Sequence, residues 1–120
     1  MTPKQAIKKQ ILINNELITD SCLLSLDEID DLYDEHLYEV DVEEFREGEV
    51  ETTIPCDFSR HYESNSVAAQ CEGQWVGWTY WYGGGKHGNP EEIEWMDDAY
   101  FCTVTEKEVL VTVQTFTKKA

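Results

Sequence analysis

The chain has 120 residues and a net charge of −16, from 25 acidic against 9 basic side chains. This length suits one domain with one core, and 41% hydrophobic residues are enough to exclude a disordered chain. A negative field of this size repels phosphate backbones and anionic membranes, which excludes direct nucleic-acid binding and favours cationic partners. We expect a single domain over 1–120, with a helical and acidic part over 1–51 and an antiparallel sheet over 52–120.

A first helix is predicted over residues 3–18. Thr2, Pro3 and Gln5 supply a capping oxygen, a proline at the first helical position and a capping-box partner. On a helical wheel one face is apolar and the lysines lie opposite, although Leu12 falls on the wrong side. The apolar face consists of Ala6, Ile7, Ile11, Ile13, Leu17 and Ile18.

A second helix is predicted over 26–40, where Ser25 and Glu28 form another capping box. Its apolar arc comprises Leu26, Ile29, Leu32, Tyr33, Leu37 and Val40, with His36 among them. Its opposite face is acidic and comprises Asp27, Glu28, Asp30, Asp31, Asp34, Glu35 and Glu39. Tyr38 lies in the middle of this acidic face, and we expect its ring to be exposed.

The segment 27–51 holds thirteen acids and one base, Arg46, so it carries most of the net charge. Along the predicted helix the acids recur about every 2.6 Å, against about one charge per 1.7 Å of DNA duplex. Like charges four residues apart, such as Asp27 and Asp31, destabilise a helix, and solubility alone does not require them. Two interpretations stay open: a solvated helix face, or a surface that binds cations and mimics a nucleic-acid backbone.

Beyond residue 51 the apolar pattern changes to that of β-strands. The predicted strands are 52–62, 66–71, 75–82, 93–105 and 108–117, joined by turns at 63–65, 72–74 and 106–107 and by one glycine-rich loop at 83–90. Strand 75–82 is aromatic on both faces and should be central or covered on both sides. The fold class is therefore α+β, with two N-terminal helices packed on one face of a four- to five-stranded antiparallel meander sheet.

The sequence shows no catalytic, cofactor or metal motif. The loop GGGKHG lacks the Ser or Thr and the following helix of a phosphate-binding loop, so Lys86 and His87 are candidates only for contact with a partner. The histidines have no nucleophile motif beside them, and the cysteines have no zinc-finger spacing. The cysteines are Cys22, Cys56, Cys71 and Cys102, which we expect to be reduced. We expect no enzymatic activity.

The aromatic strand Trp75–Tyr82 suggests an alternative function. Together with the glycine-rich loop 83–88 it resembles a platform for a small molecule or a peptide. Single-strand binders interleave their aromatic residues with basic ones, and this strand has none. Core packing is the simpler interpretation, because aromatic side chains dominate the buried area of small domains.

The stretch Val76-Gly77-Trp78-Thr79-Tyr80-Trp81-Tyr82-Gly83-Gly84-Gly85-Lys86-His87-Gly88, with Pro90 and Asp97-Asp98-Ala99-Tyr100-Phe101, resembles small proteins carried by bacterial phages and prophages. The resemblance is confined to the C-terminal part of the chain and has no function attached. By size and acidity the chain also resembles phage-encoded anti-restriction and anti-CRISPR inhibitors, several of which imitate DNA. That second resemblance rests on class features, so no functional residue is carried over.

The leading hypothesis is an acidic phage-type inhibitor that binds a basic, nucleic-acid-binding surface of a host defence protein. Nucleic-acid mimicry is the mechanism that this hypothesis leaves open. The expected partner-binding residues are Asp27, Glu28, Asp30, Asp31, Asp34, Glu35, Tyr38, Glu39, Glu43 and Glu44. No apolar run is long enough for a membrane span, so we expect a cytoplasmic protein, in the host cytoplasm if it is phage-encoded. A homodimer through a sheet edge or the first helix stays open.

Overall fold

The computed structural model describes residues 1–19, 24–56, 59–60, 62–84, 90, 93–108 and 112–119, without the side chains of 106–108, 112 and 113. Helices come first in the described chain and strands of one sheet follow. The elements are α1 Pro3–Asn14, α2 Leu26–Glu35, α3 Glu43–Arg46, β1 Val50–Glu51, β2 Glu63–Cys71, β3 Gln74–Tyr82, a 3₁₀ helix Trp95–Asp98, β4 Tyr100–Glu108 and β5 Thr112–Lys118. The predicted α+β class is confirmed, with five antiparallel strands in the order β1-β2-β3-β4-β5.

Helix α1 begins as predicted and ends earlier than predicted. The Thr2 hydroxyl accepts a hydrogen bond from the Gln5 amide, and the Gln5 side chain accepts one from the Thr2 amide. At the other end Glu16 adopts φ 61°, while the amides of Glu16 and Leu17 donate to the carbonyls of Ile13 and Leu12. This is a Schellman motif with glutamate at the position where glycine is usual, and it stops the helix before residue 18.

Helix α1 is buried on more than its predicted face because it packs against α2, the sheet and the 3₁₀ helix. Leu12, expected on the polar side, is fully buried, and Leu17, expected on the apolar side, is exposed. Lys9, also expected on the polar side, is buried with its Nζ 3.0 Å from the Glu72 carboxylate. The wheel assumes that one face meets the core, and it therefore fails for a helix with neighbours on several sides.

Helix α2 also begins at its predicted cap and ends early. The Ser25 hydroxyl accepts from the Glu28 amide, and the Glu28 carboxylate accepts from the Ser25 amide. The helix ends at Glu35, and the residues up to 40 form turns instead. Asp34 and Glu35 lie in the last turn without a basic residue, next to the negative end of the helix dipole, which disfavours further helix.

The predicted packing of both helices on one sheet face is only partly correct. Helix α1 contacts β2, β3 and β4, whereas α2 makes its main contacts with α1. Ile29 and Tyr33 are the buried residues of α2. This arrangement places the solvent face of α2 far from the sheet, as an outer layer of the molecule.

Two predicted features before β3 are wrong. Among the described residues of 52–62 no strand forms, and the short β1 lies just before them. Pro55 lacks the amide that a strand ladder needs, which explains the interruption. The predicted turn at 63–65 is the start of β2, in which Glu63 pairs with Tyr82.

Strand β3 is the central strand of the sheet, as predicted from its aromatic residues. It is joined to β2 by a two-residue turn, Glu72-Gly73, with φ values of 54° and 77°, the positive pair that a type I′ hairpin requires. The main core includes Trp78, Trp81 and Trp95 together with residues of α1 such as Ile7 and Ile11. A smaller cluster consists of Ile54, Ala68, Cys102 and Phe116 with the partly buried Val50, Trp75, Tyr100 and Val104.

The C-terminal strands also differ from the prediction. Residues 95–98 form the 3₁₀ helix that buries Trp95, so the predicted strand over 93–105 begins only at Tyr100. The predicted turn at 106–107 lies inside β4, which continues to Glu108. Strand β4 pairs with β3 only at Tyr100, Phe101 and Cys102, but with β5 along its whole remaining length. The β4–β5 hairpin therefore extends beyond the central strand.

Stability should fall at alkaline pH, because a thiol and a phenol in the core are held in their neutral, protonated forms. Burial raises the pKa of the Cys71 thiol to about 12 and, with help from Asp34, the pKa of Tyr33 to about 12. The unfolded chain releases these protons near pH 9 and 10 while the folded chain retains them, so stability is complete below pH 9 and decreases up to about pH 12. We expect a loss of a few kcal/mol over this range.

Urea unfolding across this pH range measures the effect. Cys71→Ala should make the decrease shallower, and Cys56→Ala, at an exposed cysteine, should not. An equal pH slope in wild type and Cys71→Ala would contradict the assignment to Cys71.

Candidate functional site

The solvent face of α2 is a row of carboxylates. Asp27, Glu28, Asp31, Asp34 and Glu35 are all exposed, and among the described residues none of them has a basic ion-pair partner. They lie within about 12 Å along the helix axis at 1.5 Å per residue. Because α2 ends at Glu35, this row is shorter than the predicted one, and its mean charge spacing is about 3 Å.

The lysines of α1 do not neutralise this face, because each is paired with another carboxylate. Lys4 Nζ lies 2.6 Å from Asp97 and Lys8 Nζ lies 3.1 Å from Asp30. Lys9 is buried against Glu72. All three lysines of α1 are thus engaged by carboxylates outside this row, and the face keeps its charge.

Asp30, predicted with the other acids of α2 as a partner-binding residue, differs from them in its contacts. It is half-buried, and its carboxylate accepts hydrogen bonds from Lys8 and Gln5. These bonds lower the pKa of Asp30 despite the opposing effect of burial. Asp30 therefore links α2 to α1 through hydrogen bonds, on the side of α2 that faces α1.

The turns after α2 carry the most exposed aromatic side chain of the described chain. Tyr38 is 99% exposed, as predicted, and Leu37 beside it is 44% exposed. Glu39 lies 2.8 Å from Nδ1 of the half-buried His36, which caps the helix end. His36 was expected in the core and instead orients a carboxylate at the surface.

Helix α3 carries two acids that were predicted to bind a partner, Glu43 and Glu44, and their contacts differ. Both are exposed, but Glu43 also lies 2.6 Å from Arg46 Nη2 and pairs with that buried arginine. Glu44 also lines a cleft of about 570 Å³ between the end of α1, α3 and β2. The cleft is lined by carboxylates and amides: Gln10, Asn14, Asn15, Asp41, Glu44 and Glu49, with Phe45, Gly48, Ala69 and Gln70. The negative surface of α2 thus continues along the 41–49 segment.

Arg46 holds this acidic segment on the sheet, a role that sequence reasoning missed. Its guanidinium is buried, donates to the Trp81 carbonyl and lies 4.8 Å from the centre of the Tyr80 ring. Its own carbonyl accepts from Trp78 Nε1 at 2.8 Å. A lone arginine among thirteen acids is a weak sequence signal, since nothing local shows that it is buried.

The aromatic strand is mainly a core element. Trp78 is fully buried and Trp81 nearly so, which confirms the core interpretation for these two residues. Trp75, Tyr80 and Tyr82 are half-buried. Tyr82 lines a cleft of about 580 Å³ with Ser59, Arg60, Tyr62, Glu63, Ser64, Gly83 and Gly84. The predicted contact residues Lys86 and His87 lie outside the described residues.

The arrangement presents carboxylates without basic partners to the solvent, and such a surface attracts cations. In the part of the chain that the structure describes, no three His, Cys, Asp or Glu side chains are grouped so as to hold a metal ion. His61 and His87 lie outside the described residues. Among the helices of the described ranges, none is long and apolar enough to cross a membrane.

No protein-family model, no curated protein and no solved structure matches the chain.

Proposed function

We propose that this protein is an inhibitor that binds, through its acidic α2 face, a basic surface with which another protein binds nucleic acid. One observation carries the proposal: five exposed carboxylates of α2 have no ion-pair partner among the described residues, while every lysine of α1 is paired elsewhere. Exposed charges of one sign, left unpaired on a rigid helix, raise association rates with a complementary surface and fix its orientation.

The chemistry of the surface supports nucleic-acid mimicry over general solubility. The mean charge spacing of about 3 Å along α2 is within a factor of two of the about 1.7 Å of duplex DNA, and the Asp30 contacts hold the helix at a fixed position. The host defence proteins of bacteria, such as restriction and CRISPR complexes, present cationic nucleic-acid channels of this kind. We place the partner in that class.

Neutralising the acidic face tests this function. We expect Asp31→Asn, Asp34→Asn and Glu35→Gln together to weaken partner binding about tenfold, because exposed ion pairs contribute up to about 1 kcal/mol each. The control combines Glu16→Gln, Glu51→Gln and Asp98→Asn, which changes net charge equally at exposed sites outside α2 and outside the clefts. The measurement is capture from a bacterial lysate at low and high salt, with mass spectrometry and competition by duplex DNA.

The expected result is a salt-sensitive nucleic-acid-binding protein that duplex DNA displaces and that the α2 variant retains poorly. If the α2 variant and the control variant lose binding equally, only the net charge matters and mimicry is wrong. A salt-insensitive partner that both variants retain would instead favour the alternative function, binding at the cleft between Tyr62 and Tyr82, where two aromatic residues meet the start of the glycine-rich loop.

A further inference from the structure

A cleft of about 390 Å³ borders the acidic face and is not needed for cation binding. It lies between the end of α2, Val42, the segment 93–96 and two lysines of α1. Its lining residues are Lys4, Lys8, Tyr33, Asp34, Leu37, Val42, Ile93, Glu94, Trp95 and Met96. This volume is at the lower end of the range for ligand sites, which suits one large side chain.

The floor of the cleft is apolar. Tyr33 and Trp95 are buried, and Val42, Ile93 and Met96 are partly buried hydrophobic residues packed against the same core. Leu37 stands at the edge and is 44% exposed. A nonpolar group that entered the cleft would bury itself and the exposed part of Leu37, which is favourable in proportion to the apolar area removed from water.

The charged residues at the rim of the cleft leave a net negative charge, because the two lysines there are paired with carboxylates. Lys4 is neutralised by Asp97, and Lys8 is neutralised by Asp30 and also lies 5.4 Å from the centre of the Tyr33 ring. Asp34 and Glu94 are exposed, and within the described chain they have no ion-pair partner. An occupant therefore meets an apolar floor and uncompensated carboxylates at the entrance.

We infer that the partner inserts one apolar side chain, flanked by lysine or arginine residues, into this cleft as the anchor of the complex. The inference rests on the proposed function, because the flanking cations are those that the acidic face binds. Interfaces of this type derive most of their affinity from a few desolvated anchors, while surrounding charges set rate and orientation. The occupant is thus a basic segment with a hydrophobic residue, and not a free cation or nucleic-acid-like ligand.

Two synthetic peptides test the inference. One alternates lysine and alanine around a single central phenylalanine, and the other has alanine at that position with the same charge. We expect the phenylalanine peptide to bind about tenfold more tightly in an NMR titration, because burying an aromatic side chain supplies that much. Its largest shift changes should fall on Leu37, Ile93 and Met96, and those of the alanine peptide on the acids of α2.

The combined variant Leu37→Ala and Met96→Ala should remove the preference for phenylalanine and leave the affinity for the alanine peptide unchanged. Leu26→Ala is the matched control, because Leu26 is a leucine of similar exposure, 41%, at the start of α2 and does not line the cleft. Equal affinity for the two peptides, or binding of neither, would contradict the inference that an apolar side chain enters the cleft. The proposed function fails separately if the α2-neutralised variant binds the alanine peptide as well as wild type does.

Discussion

Arg46→Ala should destabilise the protein by about 3–5 kcal/mol, a large part of the roughly 5–15 kcal/mol that holds a domain of this size folded. The substitution leaves a cavity where the 2%-exposed side chain was, and it leaves the Trp81 carbonyl without its donor. It also removes the stacking on Tyr80 and the contact with Glu43. Each loss acts on the same place, the attachment of α3 to β3.

Urea unfolding gives the measurement, and the other arginine gives the control. Arg60 is exposed, so Arg60→Ala should change stability by less than about 0.5 kcal/mol. Arg46→Lys keeps the charge but loses the planar donor group that reaches Trp81 and Glu43 together, and should fall between the two. If Arg46→Ala were as stable as Arg60→Ala, the anchoring role would be wrong.

The features that sequence predicted well are determined by neighbouring residues. Both capping boxes and the Glu72-Gly73 turn involve residues a few positions apart, whose chemistry decides the backbone. The central position of β3 followed from its many aromatic residues. The exposure of Tyr38 was also predicted, although Tyr38 lies in the turns after α2 and not on a helical face.

The features that sequence missed depend on contacts between distant parts of the chain. The early end of α1 is an exception, because it is local: it needs a left-handed Glu16, a conformation that is usual for glycine or asparagine. The burial of Arg46 depends on Trp78 and Trp81, which lie more than thirty residues away. The same holds for the internal pairing of Asp30 with Lys8, and for the cleft that Leu37 and Met96 share.

For the candidate site, sequence therefore located the acidic surface but not its internal division. It could not separate Asp27, Asp31 and Asp34, which have no ion-pair partner among the described residues, from Asp30 and Glu43, which pair with Lys8 and Arg46. That separation depends on where the lysines of α1 and Arg46 lie in space. Counting charges along a helix treats all acids alike. It therefore predicts the sign of the surface charge, and not which acids are paired within the protein.

Trp78→Ala should cost about 3–5 kcal/mol, comparable to other large-to-small substitutions in cores. Trp78 is fully buried, stacks on Phe45 with ring centres 5.4 Å apart, and meets Trp95 at the same distance. Trp75→Ala is the control, since Trp75 is half-buried and its edge contact is with Phe116 in the smaller cluster. A loss no larger than that of Trp75→Ala would contradict the assignment of Trp78 as the centre of the core.

The milder Trp78→Phe separates stability from function. It keeps most of the apolar volume but deletes the Nε1 donor to the Arg46 carbonyl, so we expect a loss of about 1–3 kcal/mol with the fold retained. Because Trp78 has no exposed surface, the affinity of the folded variant for a cationic partner should equal that of wild type. A ligand that used the aromatic strand would instead be weakened by a second uncharged variant, Tyr82→Ala, because Tyr82 lines the cleft beside Tyr62. The comparison therefore distinguishes the acidic face from the aromatic strand without altering a single charge.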